Sequence, residues 1–227
     1  SDRARGRAAR LPALLGSERF GPSRGVGGAM KSWLARCVLA VTGWRVAGPM
    51  PQARRFVLIA APHTSNWDLL HLLSLAWSVG IPVSWMGKRE LFRGPMGVLM
   101  RAVGGVPVRR DRRNDLVAQM AELFGERDEL VIVVPAEATR ARAEYWKSGF
   151  YRIAQGAGVP VYMGYLDYAT RTGGFGSFFV PSGDVKADMD IVRAFYADKR
   201  ARFPERFGPV RLRDEEQPVV PAAVGAD

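Results

Sequence analysis

Near-continuous apolar runs separated by helical patterns constrain this chain most. RFVLIAA at 55–61 and LVIVVP at 130–135 show no alternation of apolar and polar residues, so each suits a strand buried on both faces. Further strand candidates are 81–86 (IPVSWM), 105–109 (GVPVR), 159–168 (VPVYMGYLDY) and 176–181 (GSFFVP). Helical patterns fall between or after them at 67–79, 95–103, 114–126, 147–157 and 188–203. Strands alternating with helices predict an α/β fold, a single domain whose largely parallel central sheet is flanked by helices. The length of 227 residues allows one such domain with a sizeable core. Its 25 glycines and 15 prolines follow no repeat period, which excludes collagen-like and solenoid folds. The single cysteine, Cys37, excludes an intrachain disulfide and a thiolate metal cluster, and a reducing compartment is the natural reading.

Composition divides the chain further. Residues 1–29 carry six arginines against Asp2 and Glu18, have little apolar surface to bury, and are expected to form a disordered basic leader. Residues 30–48 form an amphipathic helical segment in which Trp33, Leu34, Cys37, Val38, Leu39, Val41 and Trp44 make a broad apolar stripe with Lys31, Arg36 and Arg45 beside it. That segment suits either a membrane interface or packing on the domain core, and no apolar run reaches the ~18 residues that cross a bilayer. Residues 49–215 make the main domain, and 216–227 a disordered tail. Of the net charge of +11, residues 88–113 hold +6, from eight basic side chains against Glu90 and Asp111. Such a region suits phosphate-bearing small molecules, anionic lipid headgroups, nucleic acid or plain solvation; charge alone does not choose.

The chemistry gathers at strand ends. His63 follows the run at 55–61 and precedes a helical pattern, which puts it at the carboxyl end of a strand, where ligands collect in open α/β sheets. Five residues on one helix turn through about 140° away from each other, so His63 meets Asp68 only from a loop before the helix. There a neutral imidazole accepts a proton from an alcohol while the carboxylate fixes its tautomer. Two plainer readings stand beside this one. Ser65 and Asp68 have capping-box spacing, and His63 also suits a polar loop position. His71, in LLHLLSLAW, is expected on the helix surface. A second cluster, Glu137, Thr139 and Arg140, follows LVIVVP; a guanidinium fork suits phosphate and a carboxylate suits a hydroxyl, although a charged turn has the same composition.

The order HTSNWD, KRELF followed by GGVPVRR, then EATR, then GVPVYMGYLDY resembles the glycerolipid acyltransferase family that includes the 1-acylglycerol-3-phosphate (lysophosphatidate) acyltransferases, over roughly residues 55–182. The resemblance implies a glycerol-phosphate acyltransferase-like fold for 49–215, with His63 as general base and Asp68 as its supporting acid. It assigns Arg110, Glu137, Thr139 and Arg140 to the acceptor, and Pro160 to a strand associated with the acyl donor. The third block of that family usually reads Pro-Glu-Gly-Thr-Arg; here Ala136 and Ala138 replace the proline and the glycine, and a glycine at such a position serves a positive φ or a close backbone approach. The implied reaction moves a fatty acyl chain from acyl-CoA or acyl-carrier protein to a hydroxyl of a glycerophospholipid precursor. No cofactor or metal is expected. The expected partners are the acyl thioester, a lysophospholipid or glycerophosphate acceptor and a membrane surface, with the protein peripheral on the cytoplasmic side. A catalytically silent lipid-binding relative is the alternative. Nucleic-acid binding lacks a recognised motif and is not expected.

Overall fold

The two most continuous apolar runs become neighbouring strands in the middle of a sheet that has seven strands among the described residues. The structure is a computed structural model that describes residues 26–108 and 113–216. Its elements are α1 (Val26–Thr42), β1 (Arg45–Ala47), β2 (Arg55–Ala61), α2 (Trp67–Ser78), β3 (Val83–Lys88), α3 (Gly94–Ala102), β4 (Gly105–Val108), α4 (Arg113–Glu126), β5 (Leu130–Val134), α5 (Gly149–Ala157), β6 (Val161–Asp167), β7 (Thr172–Phe179) and α6 (Val185–Tyr196). The strand order is β1-β7-β6-β2-β5-β3-β4. Every neighbouring pair is parallel except β6 and β7. The expected α/β fold with a largely parallel sheet is therefore the observed one.

Side-chain alternation explains why β2 and β5 are apolar throughout. Val57, Ile59 and Ala61 of β2, with Leu130, Ile132 and Val134 of β5, enter a core cluster on one face of the sheet, shared with Phe150 and Ile153 of α5. Phe56 and Leu58, with Val131 and Val133, enter a second cluster on the other face, shared with Ala76 of α2. A polar residue at any of these positions would lose about 1.5–3 kcal/mol of side-chain burial.

Several boundaries differ from expectation. The first helix begins at Val26, inside the stretch expected as leader, and β7 begins four residues before the expected 176. β1 was not expected; three residues, paired in parallel with Thr172–Gly174, give too short a pattern to read. The last helix ends at Tyr196 rather than 203, and the chain after it turns back toward the end of β2. Arg110 and the tail at 217–227 lie outside the described residues.

Candidate active site

His63 stands two residues beyond β2, at the carboxyl end of a strand with parallel neighbours on both sides, and Asp68 is the second residue of α2. The loop between them folds around the carboxylate. Asp68 Oδ2 accepts from the backbone N–H of Thr64 at 2.7 Å and of Ser65 at 2.8 Å, while Oδ1 accepts from the Tyr168 hydroxyl at 2.6 Å. His63 Nδ1 lies 3.5 Å from Asp68 Oδ2. The two readings of Asp68 are thus one arrangement: the carboxylate that ties the loop to the helix start also faces the imidazole. Burial is the largest influence on the Asp68 carboxyl and would raise its pKa, but the contacts from His63, Tyr168, Ser65 and Thr64 together hold it below the ordinary value. A charged carboxylate beside Nδ1 leaves Nε2 as the nitrogen free to accept a proton.

Tyr168 was not picked out from the sequence, being 100 residues from its partner. Burial first, and the bond to Asp68 second, push its phenol pKa well up, so it remains a donor. Behind the pair lies an aromatic cluster. His71 stacks on Trp44 with centroids 4.4 Å apart, and Trp44 meets Tyr168 edge-on at 4.9 Å. The surface position expected for His71 is therefore wrong: it is buried, because Trp44, between α1 and β1, stacks on it and covers that side of α2. Burial lowers its pKa, only partly offset by the Asp68 charge.

The third block follows β5. Ala138 adopts φ +55°, so alanine occupies the left-handed conformation that glycine would take without strain. Glu137 is buried and its Oε1 accepts from the backbone N–H of His63 at 2.8 Å, tying this loop to the one that carries His63. Its Oε2 has no hydrogen-bond partner among the described residues. Burial, with a smaller contribution from the Asp68 charge, raises the Glu137 pKa to about 8 despite the opposing His63 N–H. Its contact is thus with the catalytic loop, and direct contact with an acceptor hydroxyl would require it to be uncovered. Thr139 is exposed, with its hydroxyl accepting from Ala141 N–H at 3.2 Å. Arg140 is exposed and makes no ion pair among the described residues.

Neighbouring residues of the His63 loop line two concavities. One, of about 250 Å³, is mainly apolar and is lined by Ala60, Leu72, Trp85, Val133 and Leu166 as well as His63 and Asp68. The other, an open cleft of about 600 Å³, is lined by Thr64, Ser65, Asn66, Arg140, Arg202 and Arg206 among others. An imidazole with a carboxylate partner, an apolar cavity and an arginine-lined cleft thus lie along one stretch of chain.

Comparison with known proteins bears on the fold and the family. The structure resembles the crystal structure of the 1-acyl-sn-glycerophosphate (LPA) acyltransferase PlsC from Thermotoga maritima, with a TM-score of 0.52 and 16% sequence identity, covering 77% of this chain and 81% of that one. No curated protein matches the sequence significantly. The acyltransferase family model matches residues 45–164, more than half of the chain and the stretch that holds His63, Asp68, Glu137 and Arg140, so the chain belongs to the acyltransferase family.

Proposed function

We propose that the protein moves a fatty acyl chain from acyl-CoA or acyl-carrier protein to a hydroxyl of a glycerophospholipid precursor such as 1-acylglycerol-3-phosphate. The observation that carries this reading is the position of His63 on the wall of the apolar cavity, with the next residue, Thr64, lining the arginine-lined cleft. His63 Nε2 takes the proton of the acceptor hydroxyl as its oxygen attacks the thioester carbonyl. The new C–O bond forms, the C–S bond breaks, and the proton passes from His63 to the departing sulfur. Asp68, held by three hydrogen-bond donors, keeps the imidazole oriented and stabilises it while charged. Arg140 and Thr139, and Arg110 from the adjoining basic segment, serve the acceptor headgroup, while Glu137 acts through the His63 backbone. Ala138 weighs against a silent relative, since its positive φ keeps the backbone shape that a glycine would allow. A screen of acceptors in lipid vesicles, with mass-spectrometric detection of acylated product and His63→Ala as control, tests the reading. Product that persists in the control, or no product from any glycerophospholipid acceptor, would refute it.

Attachment to the cytoplasmic surface of a membrane belongs to the same proposal. No helix among the described residues is long and apolar enough to cross a membrane. α1 has two apolar sides: Ala35 and Leu39 are buried, while Met30, Trp33, Leu34, Cys37 and Val41 are exposed. Met96, Val98 and Leu99 of α3 are exposed as well, and Lys31 Nζ donates to the Ala102 carbonyl at 2.7 Å, joining the two helices. Exposed apolar side chains flanked by Arg36, Arg93 and Arg101 suit an anionic bilayer surface. Because Trp33 is 63% and Leu34 49% exposed, Trp33→Ser with Leu34→Ser should reduce co-sedimentation with anionic vesicles and leave the melting temperature nearly unchanged. Retained vesicle binding with a lowered melting temperature would contradict it.

A further inference from the structure

We propose that Arg202 and Arg206, on the segment following α6, form a phosphate site with Arg140 and hold the phosphate of the acceptor. The inference rests on the acyl-transfer reading above. Both added arginines lie beyond residue 164, where the family match ends. The segment is fastened to the catalytic loop: Phe203 N–H donates to Thr64 Oγ1 at 3.3 Å, and Tyr168 N–H donates to the Arg200 carbonyl at 2.9 Å.

The arginines are presented rather than neutralised. Arg202 lies over the rings of Trp67 at 5.7 Å, Phe203 at 5.7 Å and Tyr168 at 6.0 Å, and Arg206 lies over Phe203 at 4.4 Å. A guanidinium resting on aromatic rings keeps its N–H edge for an anion while losing rotational freedom. Arg202 makes no ion pair among the described residues. Arg206 has only the exposed Glu205, at 3.8 Å, a surface contact worth little. Among the described residues no carboxylate lines the cleft, whereas all three arginines do.

Phosphate chemistry has three sources here: the acceptor, the nucleotide end of CoA and bilayer headgroups. Position favours the acceptor. The cleft begins at Thr64, the residue after His63. In 1-acylglycerol-3-phosphate the free hydroxyl and the phosphate sit on adjacent carbons, whereas the phosphates of CoA are separated from the thioester by the long pantetheine arm. An anion in this cleft thus belongs to the molecule whose hydroxyl meets the imidazole.

The test combines steady-state kinetics with direct binding of glycerol 3-phosphate by calorimetry, on wild type, Arg202→Ala, Arg206→Ala and the two Lys variants, with melting temperatures to verify folding. Arg206→Ala removes an exposed side chain, and Arg202→Lys keeps a cation over the rings, so at least these should fold. Loss of charge-assisted hydrogen bonds should raise the KM for a soluble short-chain lysophosphatidate about tenfold or more in each Ala variant, leave the acyl-CoA KM within about twofold, and weaken glycerol 3-phosphate binding in parallel. Lys should restore only part of the loss. A raised acyl-CoA KM would assign the arginines to the donor, and reduced vesicle binding with an unchanged acceptor KM would assign them to the bilayer; either overturns the proposal, as do variants that match wild type. If wild type acylates no phosphate-bearing acceptor yet binds glycerol 3-phosphate through these arginines, the phosphate site stands and the acyl-transfer reading fails.

Discussion

The apolar cavity and the arginine cleft share the stretch that runs from the end of β2 to the start of α2, yet they have opposite characters. Residues 60–63 line the first, with Leu72, Trp85, Val133 and Leu166 around them; residues 64–67 line the second, with Arg140, Arg202 and Arg206. The cavity is made by strand ends and α2, so its walls belong to the core. The cleft is made by loops, and its charged side chains are exposed. The backbone passes from the first environment to the second after His63 and returns to the first at Asp68. On the proposed function, an amphiphile would place hydrocarbon on one side of the imidazole and charge on the other.

The strongest way to break this comparison is to remove what stands at the boundary. His63→Ala should lower kcat about 10²- to 10⁴-fold, because general-base assistance is worth that much, and Asp68→Asn should lower it less. Tyr168→Phe should reduce kcat several-fold with little change in either KM, since it acts through Asp68. Turnover at the wild-type level in purified, folded His63→Ala would remove the junction as the reacting centre.

Changes on either side should then separate the substrates. Arg140→Ala should raise the acceptor KM about 10- to 100-fold, matching loss of charged hydrogen bonds worth about 1.5–3 kcal/mol, and leave the donor KM nearly unchanged. Ala60→Leu, which fills the apolar cavity, should cost long-chain donors about tenfold relative to short ones, since each buried methylene is worth about 0.8 kcal/mol. If Arg140→Ala affected the donor, or Ala60→Leu the acceptor, the two sides would not be separate subsites.

Glu137 lies beneath the boundary and should report on it through pH. Its folded pKa, about 8, is above the ordinary carboxyl value of 4.5, so between those values the folded protein holds a proton that the unfolded chain has released. The stabilisation this gives is fully present below pH 4.5 and is lost as the pH rises to about 8. Glu137→Gln keeps an oxygen for the His63 N–H and cannot ionise, so its stability relative to wild type should grow across this window. Parallel stability curves from pH 4.5 to 8 would show that Glu137 is not buried in the way described.

The two regions also differ in how far the sequence reveals them. RFVLIAA and LVIVV are legible because burial on both sheet faces leaves an unbroken apolar run, and HTSNWD is legible because all the polar parts of its loop lie within six residues. The cleft is much less so. Tyr168 and Arg202 join the site through contacts across the fold, 100 residues from Asp68 in the first case, and no local pattern marks them. The segment at 198–203 looked helical, but α6 stops at Tyr196 and a turn begins at Pro204, which lets Phe203 reach Thr64. His71 was misplaced for the same reason: LLHLLSLAW shows one helix, while Trp44, which covers it, belongs to another part of the chain.

The smallest expected effect lies in the strained residue of the third block, between Glu137 and Arg140. An alanine at φ +55° costs about 1–2 kcal/mol relative to its preferred conformations. Ala138→Gly removes that strain but gives the unfolded chain more freedom, worth about 0.4–1 kcal/mol in the opposite direction. The net gain should lie between about zero and about 1.6 kcal/mol, on the order of a few degrees in melting temperature for a domain of this size. The kinetic consequence should fall on one side only. Arg140 sits two residues along the loop and lines the cleft, whereas among residues 136–140 none lines the apolar cavity. A modest change in acceptor KM with a constant donor KM would therefore sharpen the division at His63, and a lowered melting temperature would show that the alanine fits this loop better than its backbone angle implies.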